Sequence, residues 1–387
     1  MRAVSCKAGE LSVIEMPAPR PAAGQLLLDV RRCGICGSDI HAKDHADELT
    51  EVMAAVGYPD FMNSSTPVVL GHEFCGTVVE KGRGVAKEFK SGTTVVSFPL
   101  VRAAGGVHLT GLSPLAPGGY AEQVLAEASM TFVVPNGLDV DTAALTEPMA
   151  VALHAVRRSD ISRRDTAVVI GCGPVGLAVI CHLKAKGVGT IIASDFSPGR
   201  RALAAKCGAH VVVDPAVESP YERFDRQKDV ITAAPQLYEL GVGSMEKLRK
   251  VPGWSHLYRL AESFGAAGPK RPVVFECVGV PGMIDGVLAA APVQSRVVVV
   301  GVCMGEDRFR PTLAIGKEID VRFVFGYTPL EFHDTLNLLA EGKVDASALV
   351  TGTVGLDGVE AAFNALGDPE SHAKILIDPT SSAVEPG

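Results

Sequence analysis

The segment Gly171-Cys172-Gly173-Pro174-Val175-Gly176 constrains the fold of this chain more than any other. It follows the apolar run Thr166 to Ile170, which reads as a buried strand, and opens the long apolar stretch Pro174 to Lys186, which reads as a helix. In a strand-turn-helix unit, Gly171 permits the tight turn, Gly173 lets the backbone approach a pyrophosphate, and Gly176 lets helix and strand pack closely. Pro174 and Val175 then form the helix's first turn beside the phosphates, where a missing amide hydrogen costs nothing. A glycine-rich structural turn would need no second signal. Here Asp195 ends the next strand, Thr190 to Ser194, 19 residues beyond Gly176, where a carboxylate can accept from both hydroxyls of an adenosine ribose. A carboxylate there repels a 2′-phosphate and favours NAD over NADP, although Arg200 and Arg201 lie close enough to weaken that preference. Arg200 is kept as a cofactor-side candidate, and Arg201 reads as part of a solvated helix face.

The grammar around this motif divides the chain. Residues 1 to about 150 alternate short β-type runs with glycine and proline, at Leu26 to Val30, Phe74 to Val79, Thr93 to Phe98, Tyr120 to Leu125 and Thr131 to Val134. That pattern predicts an all-β domain, a closed or partly closed barrel. From Ala144 the order becomes helix (Ala144 to Arg157), the motif unit, helix Pro198 to Cys207 and strand His210 to Val213. Two further apolar runs follow, Val273 to Val278 and Arg296 to Val302. Alternation of this kind predicts an α/β doubly wound parallel sheet with helices on both faces. The expected boundaries are 1–150 and 326–387 for the β domain and 151–325 for the nucleotide domain. The tail Thr380 to Gly387 is expected to fray.

Of the 387 residues, 47% are hydrophobic and 21% charged, a globular composition with no uninterrupted apolar run of bilayer length. The formal net charge of −8 argues against nucleic acid or an anionic membrane as a partner. Met1 to Val13 carries a polar run where an export signal would be apolar, so the cytoplasm is expected. The nine cysteines are an odd number, and Cys75, Cys172, Cys277 and Cys303 sit in apolar runs as small core residues, so no disulfide framework is expected.

Two segments ahead of the nucleotide motif carry metal-ligand chemistry. Cys33-Gly-Ile-Cys36-Gly-Ser38-Asp39-Ile-His41 and Gly71-His72-Glu73 resemble the zinc loop and second ligand segment of zinc-dependent medium-chain dehydrogenases/reductases, the alcohol dehydrogenase superfamily. Leu145-Thr-Glu147-Pro-Met-Ala-Val-Ala-Leu-His154 resembles its polyol, sorbitol and butanediol dehydrogenase branch. Val274-Phe-Glu276-Cys-Val-Gly279, Val299-Val-Gly301-Val302 and Phe325-Gly-Tyr327 resemble the segments that approach adenine and nicotinamide. The resemblance implies a Rossmann domain plus a GroES-like β-barrel catalytic domain, with Val278, Gly301, Val302 and Phe325 on the cofactor. It implies one catalytic zinc per subunit, held by Cys36 and His72 with Cys33 as packing. Glu73 or Glu147 would be the third ligand, and the other would stand close by. Asp39 would hold the His72 imidazole through its second nitrogen, a turn aspartate being the plain alternative. Between Val95 and Tyr120 many relatives carry four cysteines for a structural zinc; this chain has none there.

By the same resemblance, the reaction is hydride transfer between NAD(H) and a secondary alcohol or ketone, a polyol, a diol or something bulkier. The proton would leave through Ser38 and the cofactor ribose to His41, with Glu73 assisting. A loop histidine in water, and a helix-dipole role for Glu147, are the plain alternatives. His154 reads as a packed core histidine. A homodimer or homotetramer is expected. Two other functions share the fold: a zinc-free, quinone-reductase-like NADP enzyme and a non-catalytic cofactor-binding structural protein.

Two stretches depart from the family pattern. Residues 42–66 carry Leu49, Val52, Met53, Val56, Tyr58, Phe61 and Met62 partly at helical spacing, either walling the substrate pocket or packing as a surface helix. Residues 215–272 hold candidate short helices Ile231 to Leu240, Met245 to Lys250 and Trp254 to Phe264, in a position to cover the nucleotide edge or meet another subunit.

Overall fold

The computed structural model describes residues 1–224, 230–263, 268 and 270–387. The chain divides into two compact units: Met1–His154 with Gly173–Ala185 and Phe325–Gly387, and Ala155–Cys172 with Lys186–Val324.

In the first unit, the long strand Gln25–Gly34 is the spine of a seven-stranded sheet. One side carries Glu73–Lys81, Thr94–Ser97 and Thr131–Val133, and the other Lys374–Ile377 and Val350–Val354; Gln123–Glu127 also pairs with the spine. The chain's last segment therefore completes a sheet begun by its first. A three-stranded sheet of Glu10–Glu15, Arg2–Lys7 and Val68–Val69 joins it through an Ala3 to Ala121 bridge, and both contribute to one core that includes Val4, Leu26, Leu28, Phe74 and Ile375. Where many relatives are expected to hold four cysteines, Leu100–Ala103 and Gly106–Leu109 form a hairpin, turned at Ala104 and Gly105 with φ of 47° and 84°.

The second unit contains six parallel strands in the order Val211–Val213, Thr190–Ser194, Thr166–Ile170, Val273–Glu276, Arg296–Val299 and Asp320–Phe323. The central strands are valine- and isoleucine-rich and buried along their length, as a sheet covered on both faces requires. The helix Pro198–Cys207 starts on a Ser197 cap whose side chain accepts from the Arg200 N–H, and ends at Gly208 in the left-handed region.

Several sequence expectations are revised. Ile231 is not helical: it is buried, its carbonyl accepts from Val293 N–H, and the helix begins later. Two expected short helices are one, Ala234–Leu248, because no proline interrupts it after its first turn and Gly241 and Gly243 are tolerated within a solvated helix. The next helix is Trp254–Ser263; Phe264 lies outside the described residues. Neither helix has a buried residue. The tail does not fray, since Gly355 N–H donates to Ala383 O at 2.7 Å. Helix Ala46–Ala55 packs Leu49 and Met53 on the first unit's core, while Val52 and Val56 are exposed. No helix among the described residues is long and apolar enough to cross a membrane.

Candidate metal centre and nucleotide turn

Cys36 precedes the short helix Gly37–Asp44, and His72 and Glu73 open the strand Glu73–Lys81. Antiparallel register places Glu73 opposite Gly34, two residues before Cys36, so the sheet brings the two motifs together. One ligand atom from each of Cys36, His72 and Glu73 lies within 4.8 Å of the others, the donor set of a thiolate, an imidazole and a carboxylate that a zinc ion takes.

Asp39 fixes the geometry around this cluster. Its Oδ2 accepts from Cys36 N–H at 2.9 Å and from the Tyr120 hydroxyl at 2.7 Å, and its Oδ1 stands 3.2 Å from His72 Nδ1. Burial works against charge on both groups. Even so, Asp39 holds the His72 imidazole well above its ordinary range, and His72, Tyr120 and Cys36 hold the Asp39 carboxyl below its own. Ser38 Oγ lies 3.1 Å from His72 Nε2. His41, one turn further along the same helix, is half-buried, and burial and then His45 push its imidazole below the ordinary value.

Lys374 was not foreseen. It is 1% exposed, and its ammonium donates to both carboxylate oxygens of Glu73, at 2.8 and 2.7 Å, and to Ile35 O. Burial opposes its charge, but Glu73 raises its pKa. The signal was a lysine inside the otherwise apolar strand Ala373 to Ile377, where a charge must find a partner. Glu147, near the start of helix Thr146–Arg158, receives a hydrogen bond from the Tyr327 hydroxyl at 2.8 Å. Burial, and next the nearby Glu73 carboxylate, push the Glu147 carboxyl up to about 7. His154 pairs with Glu331, its Nδ1 being 2.9 Å from Glu331 Oε2.

In the second unit, Gly171 has φ of +85°, and a Cβ there would stand 2.7 Å from Val278 Cγ2. Among the described residues, a Cβ at Gly173, in the first unit, would meet no atom within 4 Å beyond its chain neighbours. Asp195 accepts from Cys172 N–H at 2.7 Å and Ser197 N–H at 2.8 Å, which aims its carboxylate along the turn. Val278, Gly301 and Val302 follow the C-terminal ends of the parallel strands, with Val278 and Val302 exposed, where ligands of such sheets bind. Phe325, in the first unit, is 84% exposed. Arg201 is not a solvated face residue: it donates to the carbonyls of Asp195 and Phe196 and pairs with Asp214 at 3.1 Å, because its helix begins just past the end of the strand Thr190–Ser194. Arg200 Nε is buried with no hydrogen-bond partner among the described residues.

Comparison with known proteins agrees with these features. Residues 22–136 match the alcohol dehydrogenase GroES-like domain and residues 174–341 the zinc-binding dehydrogenase family. The chain is 32% identical over 379 residues to (R,R)-butanediol dehydrogenase of Bacillus subtilis (strain 168), covering 96% of this chain and 97% of that protein. It is 29% identical to sorbitol dehydrogenase of Halalkalibacterium halodurans, covering 96% of each. The crystal structure of 2R,3R-butanediol dehydrogenase from Bacillus subtilis superposes with a TM-score of 0.72 at 30% identity over 98% of this chain and 99% of that one. A structure of the zinc-binding dehydrogenase type from Sinorhizobium meliloti 1021, bound to NADP, gives 0.74 at 26% over the same shares. With its two ligand-bearing segments, its glycine turn and these relatives along nearly its whole length, the chain belongs to the zinc-type medium-chain dehydrogenase/reductase superfamily of alcohol dehydrogenases.

Proposed function

We propose that the protein is a NAD-preferring, zinc-dependent dehydrogenase of secondary alcohols, with diols and polyols as its substrate class. The convergence of Cys36, His72 and the Glu73 carboxylate in one cluster carries this reading, and the relatives named for butanediol and sorbitol support the substrate class. Cys36 and His72 hold the metal with Glu147 or Glu73. We favour Glu147, because both Glu73 oxygens already accept from Lys374, whereas Tyr327 donates to one oxygen of Glu147. A bound zinc would supply Lewis acidity to the alcohol oxygen, and a bound nicotinamide would take the carbinol hydride.

The chain's own residues handle the proton and the cofactor. Ser38, beside His72 Nε2, is placed to take the hydroxyl proton. His41 lies three residues on, on the same helix face, and would receive that proton through the cofactor ribose. Asp195, held by two backbone N–H groups, accepts from the adenosine ribose and disfavours a 2′-phosphate. Subunits associate as a homodimer or homotetramer, a reading supported by the sheet's edge strand Asp320–Phe323, whose Phe323 is 62% exposed.

Coupled oxidation of a panel of secondary alcohols, diols and aromatic carbinols, with NAD and NADP side by side and metal content measured, tests the reading. One zinc per chain and faster diol turnover with NAD are expected. Zinc-free preparations that reduce quinones with NADPH would overturn it in favour of the metal-free enzyme class.

A further inference from the structure

Tyr120 touches both segments that carry the metal ligands, and the reading above gives it no task. Its backbone N–H donates to Leu70 O at 3.0 Å, two residues before His72, and its ring lies so close to Gly71 that a Cβ there would stand 2.4 Å from Cδ1. Gly71 has φ of +99°, so this close passage and the turn into His72 both call for glycine. The ring meets Phe363 edge-on, with centroids 6.2 Å apart at 89°. The residue is fully buried, so its hydroxyl has no water to turn to, and it donates to Asp39 Oδ2 at 2.7 Å. That oxygen also receives the Cys36 N–H, while Oδ1 faces His72 Nδ1. A phenylalanine would fill the same ring space. The hydroxyl therefore serves Asp39 and not the packing.

We propose that Tyr120 is a positioning residue of the metal centre: its hydroxyl locks the Asp39 carboxylate, which in turn sets the His72 ring and the Cys36 backbone for the ion. The proposal rests on the zinc reading. Burial and Asp39 keep the phenol pKa well above its ordinary value, so the group stays a donor at any working pH.

The test is zinc affinity by chelator competition on the full-length wild type, Tyr120→Phe, Asp39→Asn and the double variant, with the visible absorption of the cobalt-substituted forms. Wild type that binds no stoichiometric zinc removes the underlying reading, and with it the proposal. If wild type binds one zinc, the expected result for Tyr120→Phe is a loss of roughly 10- to 100-fold in affinity and an altered cobalt spectrum, with the zinc-free variant melting close to zinc-free wild type. In the double variant, Tyr120→Phe should add little to Asp39→Asn. Unchanged zinc affinity, or full additivity of the two substitutions, overturns the proposal. A Tyr120→Phe protein whose zinc-free form unfolds far earlier than zinc-free wild type also counts against it, because the hydroxyl would then serve the fold and not the metal centre.

Discussion

Lys374 and Glu73 form a buried pair in which neither charge can reach water. Lys374→Met keeps the side-chain length but strands a carboxylate in the core, so it should cost about 3–5 kcal/mol in urea unfolding, with much of that recovered by Glu73→Gln in the same chain. Glu147 gives a pH signature in the zinc-stripped protein. Its folded pKa of about 7 lies above the ordinary 4.5, so between these values the folded state holds more protons than the unfolded one. Its contribution to stability is fully present below about 4.5 and is lost as pH rises through about 7. Relative to Glu147→Gln, the stripped wild type should therefore lose stability across that window, and a flat difference would contradict the assignment. Cys36, His72 and Glu73 could be singled out in the sequence because metal-ligand chemistry restricts residue type within two short segments, and these three converge in the structure. Lys374 was not connected to Glu73 because 301 residues separate them and only the sheet brings them together.

The elements were legible where hydrophobic periodicity and caps agreed. Thr166–Ile170, Pro174–Lys186, Thr190–Ser194 and Pro198–Cys207 were expected at these same boundaries. The β-domain strands were displaced by a few residues, as with Gln123–Glu127, because pairing with register shifts, as between Gln25–Gly34 and Glu73–Lys81, ends strands where sequence alternation does not. Helix Pro329–Ala340 begins on a reciprocal cap in which the Thr328 side chain accepts from Glu331 N–H and Glu331 accepts from Thr328 N–H. Burial disfavours charge on Glu331, but Thr328 and His154 hold its pKa below the ordinary value. Thr328→Ala should cost about 1 kcal/mol, measured by thermal or urea unfolding. The helices Ala234–Leu248 and Trp254–Ser263 bury no residue, so replacing 234–263 with a short flexible linker should leave the thermal midpoint nearly unchanged. Assaying turnover and solution mass on that variant tests whether these helices cover the nucleotide edge or join subunits.

For the whole molecule, the proposed zinc would link function to cysteine reactivity. Burial pushes the Cys75 and Cys172 thiols up to about 12, so both should resist alkylation near pH 8 in the folded protein. Cys36 is partly exposed, and removing zinc with a chelator should open it to alkylation and abolish turnover, with added zinc protecting it. Mass mapping of the labelled peptides reads this directly. The sequence by itself determined the layer architecture and the residue types of both sites, because strand-turn-helix punctuation and ligand chemistry are local properties. Only the tertiary structure decided which carboxylate is neutralised by Lys374, that Tyr120 spans both ligand segments, and that Arg201 braces a strand end. Those facts depend on the register of strands far apart in the chain, and no local pattern encodes that register.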